Sequence, residues 1–167
     1  MNLPKPNVLI NKVFKKIISE IDNETCLIGI PSGGSYIIDA LKKKIKEPLS
    51  YGLIDGSFYR DDLEISGIKL KEKTTSINFN IAQKKIILID DVFYTGRTIR
   101  AAINEIFDYG RPKEIKLFVL IDRKNNELPI QPTFSAMEID APKNIFISLA
   151  KEKNNLIFNV SKIKWKN

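Results

Sequence analysis

With 167 residues the chain suits a single domain spanning residues 1–167, and a chain of this size can bury roughly 70% of the surface its unfolded form exposes. Hydrophobic residues make up 43% and charged residues 28%, which is too apolar for wholesale disorder, and no window reaches the ~20 apolar residues of a membrane span, so a cytoplasmic protein without membrane contact is expected. The absence of histidine excludes histidine triads and histidine-built zinc sites, and the excess of 27 basic over 20 acidic residues, a net +7, favours anionic partners such as nucleotides, diphosphate or RNA.

Asn7–Ile21 reads as an amphipathic helix, with Val8, Ile10, Val13, Phe14, Ile17, Ile18 and Ile21 at roughly helical spacing against a lysine face. Cys26–Ile30 is a short buried strand, and Cys26, the only cysteine, is expected to be a buried, inert thiol. Pro31–Ser35 reads as a glycine-containing loop, Tyr36–Ile45 as a second helix and Leu49–Tyr59 as another strand. From Arg60 to Gln83 the sequence turns polar and alternates only loosely near Ile77–Ile81, which suggests a mobile excursion with a marginal hairpin.

Periodicity returns at Lys84–Asp91, a continuous apolar run typical of a parallel strand buried on both faces. A helix follows from about Thr98, with Ile99, Ile103, Ile106 and Phe107 on one side and Gly110 and Pro112 ending it. Glu114–Asp122 is the next buried strand, so strand, helix and strand form a βαβ unit. The expected fold is therefore α/β, a mainly parallel central sheet flanked by helices. Ile145–Leu149 and Leu156–Val160 flank a Lys-Asn-Asn turn and read as a closing antiparallel hairpin.

The chemistry concentrates in Ile86-Ile-Leu-Ile-Asp-Asp-Val-Phe-Tyr-Thr-Gly-Arg-Thr98, where a buried strand ends on two carboxylates and turns into a helix. Ligands of open parallel sheets bind beyond the carboxyl ends of the strands, so Asp90 and Asp91 emerge where a substrate would lie. Small residues at Thr95 and Gly96 let backbone N–H groups approach a phosphate, the helix N-terminus adds partial positive charge, and the hydroxyls of Thr95 and Thr98 can donate further bonds. Each cue alone is also met in ordinary turns and caps.

Together, at this spacing, they resemble the sugar-diphosphate motif of type I phosphoribosyltransferases. The resemblance implies that Asp90 and Asp91 hold the ribose of phosphoribosyl diphosphate, that Tyr94, Thr95, Gly96, Arg97 and Thr98 hold its 5′-phosphate, and that Mg2+ arrives with the diphosphate, bound by substrate oxygens and water. Purine members of the family usually place an acid where Tyr94 stands, so a pyrimidine base is expected.

The likeness narrows to the PyrR group of uracil phosphoribosyltransferases, some of which also bind RNA. It is carried by Phe58-Tyr-Arg-Asp-Asp62, Thr95 to Ala102, Tyr109-Gly-Arg-Pro112, Ile121-Asp-Arg123 and Glu127-Leu-Pro-Ile130. It implies conversion of uracil and phosphoribosyl diphosphate to UMP and diphosphate, with an RNA-binding regulator sensing pyrimidine nucleotides as the alternative, and a homodimer or higher assembly. Pro31, Ser32, Gly33 and Gly34 would cradle diphosphate, Ile121, Asp122 and Arg123 would face uracil, and Arg60 with lysines 69, 71 and 73 would meet diphosphate from a hood over about residues 60–83. RNA-binding members commonly have a basic or histidine-containing stretch where this chain reads Lys124-Asn-Asn126 and a basic loop where it has Ser32-Gly33, and both departures favour the enzyme.

Overall fold

The structure is a computed structural model that describes residues 2–56 and 75–162. In chain order its elements are α1 (Pro6–Ile18), β1 (Thr25–Gly29), α2 (Gly33–Lys42), β2 (Ser50–Leu53), β3 (Lys85–Phe93), α3 (Arg97–Asp108), β4 (Glu114–Asp122), β5 (Phe134–Glu138), β6 (Ile145–Glu152) and β7 (Asn155–Lys162). Strands β2, β1, β3, β4 and β5 form one sheet in that order, each neighbouring pair parallel, and β6 and β7 form a separate antiparallel hairpin.

The central strands are apolar without alternation because both faces of the sheet are covered. On one face α1, α2 and the hairpin bury Leu27, Ile87, Ile89, Phe118 and Leu120. On the other, α3 and Ile81 bury Ile28, Ile86, Leu88 and Val119. Fully burying an aliphatic side chain contributes about 2 kcal/mol, so these two layers are the main source of stability.

The strand order reverses between β1 and β3: α2 leads from β1 to β2 on one side, and α3 leads from β3 to β4 on the other. The segments leaving β1 and β3 diverge, and the crevice between them is where open α/β sheets take their ligands.

Several expectations need correction. The buried stripe of α1 is Leu9, Ile10, Val13 and Ile17, whereas Val8 and Ile18 face solvent, because one helix face cannot bury every apolar residue of so rich a segment. The expected loop Pro31–Ser35 is shorter, since α2 starts at Gly33 and makes Gly33 and Gly34 helical residues. Gly34 donates its N–H to the Ile30 carbonyl at 2.8 Å, and a Cβ on it would stand 2.4 Å from the Ile89 carbonyl oxygen, so only glycine lets α2 begin this close to β3.

β2 is limited to four residues, because Leu53 turns to exchange hydrogen bonds with Ser76 and Gly56 takes φ 62°. The marginal hairpin expected within residues 60–83 falls largely outside the described residues; of the part described, Ser76 makes an isolated bridge to Leu53 and Ile81 packs into the core. β3 continues past the two acids to Phe93, and β5 is a strand the sequence reading lacked. Most of the expected hood, including Arg60 and lysines 69, 71 and 73, lies outside the described residues. Cys26 is buried, and burial pushes its thiol pKa up. Among the described residues no helix is long and apolar enough to cross a membrane.

Candidate active site at the carboxyl ends of β1 and β3

Adjacent residues of a strand point to opposite faces, so Asp90 and Asp91 do different things. Asp90 is 7% exposed, and its Oδ1 accepts the N–H of Asp91 at 2.9 Å. The Asp91 carboxylate lies against the first residue of α2: a Cβ on Gly33 would come within 2.2 Å of its Cγ. Its Oδ2 also accepts the N–H of Leu149 in β6. Three elements, β3, α2 and β6, thus meet at one carboxylate.

The turn from β3 into α3 joins a left-handed glycine to a helix N-terminus. Gly96 caps the helix with φ 89°, a left-handed conformation that favours glycine, and its carbonyl accepts the first helical bond from Arg100 at 2.9 Å. A Cβ at Gly96 would find only ordinary contacts, the nearest 3.5 Å away at Leu128, so backbone angle rather than lack of room requires glycine. The first turn of α3 holds no acidic residue and its N-cap makes no side-chain hydrogen bond, an arrangement whose partial positive charge can favour an anion. Thr95 Oγ1 accepts the Arg97 N–H at 3.3 Å, and Thr98 stands half-buried one residue further along the helix.

The segment after β4 braces this turn from outside. The N–H groups of Glu127 and Leu128 donate to the Thr95 carbonyl at 2.9 and 3.3 Å, and Arg97 Nε pairs with Glu127 Oε2 at 3.0 Å. These supports are backbone groups and a surface ion pair, which no residue pattern in the sequence announced.

Arg123 is only 2% exposed. Its guanidinium lies 3.9 Å from the centre of the Tyr94 ring, and its Nη2 donates to the carbonyls of Pro142 at 2.9 Å and Ala141 at 3.4 Å, while Nε has no hydrogen-bond partner among the described residues. Burial pulls its pKa below the usual arginine value, partly offset by Tyr94. Arg123 is therefore a buried post beneath the turn that starts at Tyr94, not part of a surface turn. Its own N–H donates to the Phe93 carbonyl at 3.0 Å.

Ile121 is buried in β4 and Asp122 is 7% exposed, with Oδ1 accepting the Lys124 N–H at 2.8 Å. A cavity of about 400 Å3, lined in part by Phe93, Asp122, Lys124 and Glu138, touches the expected site residues only at Asp122. Pro31 and Ser32 lie between β1 and α2, joined by a cis peptide bond, and Ser32 is exposed. The structure therefore brings Gly33 to Asp91 and Tyr94 to Arg123, whereas Arg60 lies outside the described residues.

The sequence matches the phosphoribosyl transferase domain family over residues 4–150. It is 36% identical over 160 residues to a bifunctional protein PyrR of Nitrosococcus oceani, covering 89% of this chain and 90% of that one. It is 39% identical over 136 residues to a bifunctional protein PyrR of Pseudomonas savastanoi pv. phaseolicola, covering 79% and 80%. Among solved structures, a hypoxanthine-guanine phosphoribosyltransferase from Bacillus anthracis superposes with a TM-score of 0.64 over 84% of this chain and 85% of that one, at 20% identity, a likeness of fold.

Proposed function

The chain belongs to the phosphoribosyltransferase family, with the bifunctional PyrR proteins among its relatives, and from that premise we propose that it converts uracil and phosphoribosyl diphosphate to UMP and diphosphate. The observation that carries the proposal is the placement of Asp91, pinned between Gly33 and Leu149 on the strand that leads into the uncapped N-terminus of α3, at the strand-order reversal.

In this reading Asp90 and Asp91 hold the ribose hydroxyls and oppose the positive charge that grows on the sugar as diphosphate leaves. The 5′-phosphate sits on the turn Tyr94–Thr98, where the α3 dipole and the N–H groups favour it. Pro31, Ser32, Gly33 and Gly34 face the diphosphate, and Ile121, Asp122 and Arg123 border the base through backbone groups. The bond from C1′ to the diphosphate oxygen breaks, a C1′–N1 bond to uracil forms, and the N1 proton is lost. The donor set fits magnesium carried by the substrate: the hard oxygens of Asp90 and Asp91 are at hand, yet the described residues contain no group of three or more acids to cage an ion. When bound, the ion neutralises the departing diphosphate.

Tyr94 supports a pyrimidine acceptor, since its ring is committed to Arg123 and offers no carboxylate to a purine nitrogen. An RNA-regulatory role gains less support from residues 123–126. Arg123 is buried, Lys124 pairs with Glu138 at 2.9 Å, and the amides of Asn125 and Asn126 bond to nearby carbonyls. The deciding test is formation of UMP from labelled uracil, phosphoribosyl diphosphate and magnesium, with cytosine, hypoxanthine, guanine and orotate in parallel. Turnover with uracil alone is expected; turnover with a purine but not uracil overturns the proposal.

A further inference from the structure

The inward stripe of α3 contains one residue that an amphipathic helix would not place there. Glu105 follows Ala101 and Ala102 by four and three positions, precedes Ile106, and is 1% exposed. The ordinary reading of an acid on a helix is a solvated face, and burying one without partners is costly.

Glu105 Oε2 accepts the N–H of Gly56 at 2.7 Å, and Oε1 accepts the hydroxyl of Thr75 at 2.7 Å. Thr75 Oγ1 in turn accepts the N–H of Asp55 at 3.0 Å. One carboxylate thus clasps Gly56 and Thr75, the described residues on either side of positions 57–74. A second observation agrees: a Cβ on Gly56 would stand 2.9 Å from the Ala102 nitrogen, so the chain at Gly56 lies directly on the α3 backbone. The Leu53–Ser76 bridge closes the same junction from the strand side.

We propose that Glu105 is a positioning residue for phosphoribosyl diphosphate, acting by fixing residues 55–56 and 75 on the helix whose first turn receives the 5′-phosphate. This rests on the function proposed above. Glu105 lies eight residues from the start of α3, a rigid run of about 12 Å, so it ties that junction to the phosphate turn through a stiff element. Losing the carboxylate leaves a buried N–H and a half-buried hydroxyl without their acceptor, and the junction shifts to find water.

The test is calorimetric titration of phosphoribosyl diphosphate with magnesium into wild type, Glu105→Ala, Glu105→Gln and Thr75→Val, alongside thermal midpoints and the split between kcat and KM. Glu105→Ala is expected to weaken the dissociation constant on the order of tenfold and raise KM to match, with kcat changed less. Glu105→Gln, whose amide can still accept from Gly56 and donate to Thr75, is expected to recover most of the affinity, and Thr75→Val to weaken it by a smaller factor. A lowered midpoint with unchanged affinity in Glu105→Ala overturns the inference. If that variant does not fold, unchanged affinity in Thr75→Val overturns it instead. Absence of binding by the wild type refutes the underlying function itself and is read before any variant.

Discussion

Replacing Gly33 with alanine sets two physical effects against each other. Gly33 opens α2 without a left-handed φ, so the backbone accepts alanine, and helix propensity alone predicts a gain of up to ~1 kcal/mol. The new Cβ, however, would lie 2.2 Å from Asp91 Cγ and 2.5 and 2.6 Å from its oxygens. Ordinary carbon contacts need about 3.5 Å, so the carboxylate must move by roughly 1 Å or more. That movement breaks the bond from Leu149 N–H, worth about 1.5–3 kcal/mol for a charged acceptor, for a net loss of about 0.5–2 kcal/mol. In a chain of this length that lowers Tm by roughly 1–8 °C. Displacing a group that holds the ribose by about 1 Å costs on the order of 10²-fold in kcat/KM. Initial rates of UMP formation and a thermal scan read both quantities. A variant at least as stable as wild type, with kcat/KM within about twofold, would refute the steric argument and the role of Asp91 together.

Asp91→Asn keeps an acceptor for Leu149 N–H but removes the charge, so kcat is expected to fall about 10²–10³-fold with Tm nearly unchanged; full turnover rejects the ribose assignment. Arg123→Lys loses the planar stack on Tyr94 and the fork between the Ala141 and Pro142 carbonyls, and should cost about 1–3 kcal/mol by urea unfolding; an unchanged midpoint removes the supporting post. The hydrogen bond from Lys85 holds the Asp22 carboxyl at about 2, below its ordinary 3.8. Since the folded pKa is the lower one, this contribution is present above pH 3.8 and disappears as pH falls towards 2. Asp22→Asn should therefore lose stability less steeply than wild type between pH 4 and 2, and parallel curves exclude the effect.

The parts of this fold that depend on burial were legible. β4 runs from Glu114 to Asp122 as expected, because a strand covered on both faces writes itself as an unbroken apolar run. β3 was read too short: the sequence turns polar at Asp90 and Asp91, but the ladder continues because Val92 and Phe93 pair with Ile121 and Asp122. β5, Phe-Ser-Ala-Met-Glu, has no β-branched residue and owes its conformation to pairing with β4, a cause that no local pattern carries. The turn into α3 was readable from Thr95-Gly96 at a strand-to-helix junction, whereas its brace consists of backbone N–H groups of Glu127 and Leu128, which every sequence possesses. Glu105 escaped for the opposite reason, since an acid on an amphipathic helix is ordinarily a surface residue.

The β6–β7 hairpin shares no strand pairing with the parallel sheet, yet its Leu149 N–H is held by the carboxylate that is proposed to hold the sugar. A ribose hydroxyl arriving at Asp91 and the hairpin amide draw on the same oxygens, so occupancy of one is thermodynamically linked to the grip on the other. By that reciprocity the hairpin is a built-in reporter. The Leu149 amide should exchange its proton at a rate that changes with bound substrate, giving a readout of occupancy that needs no turnover.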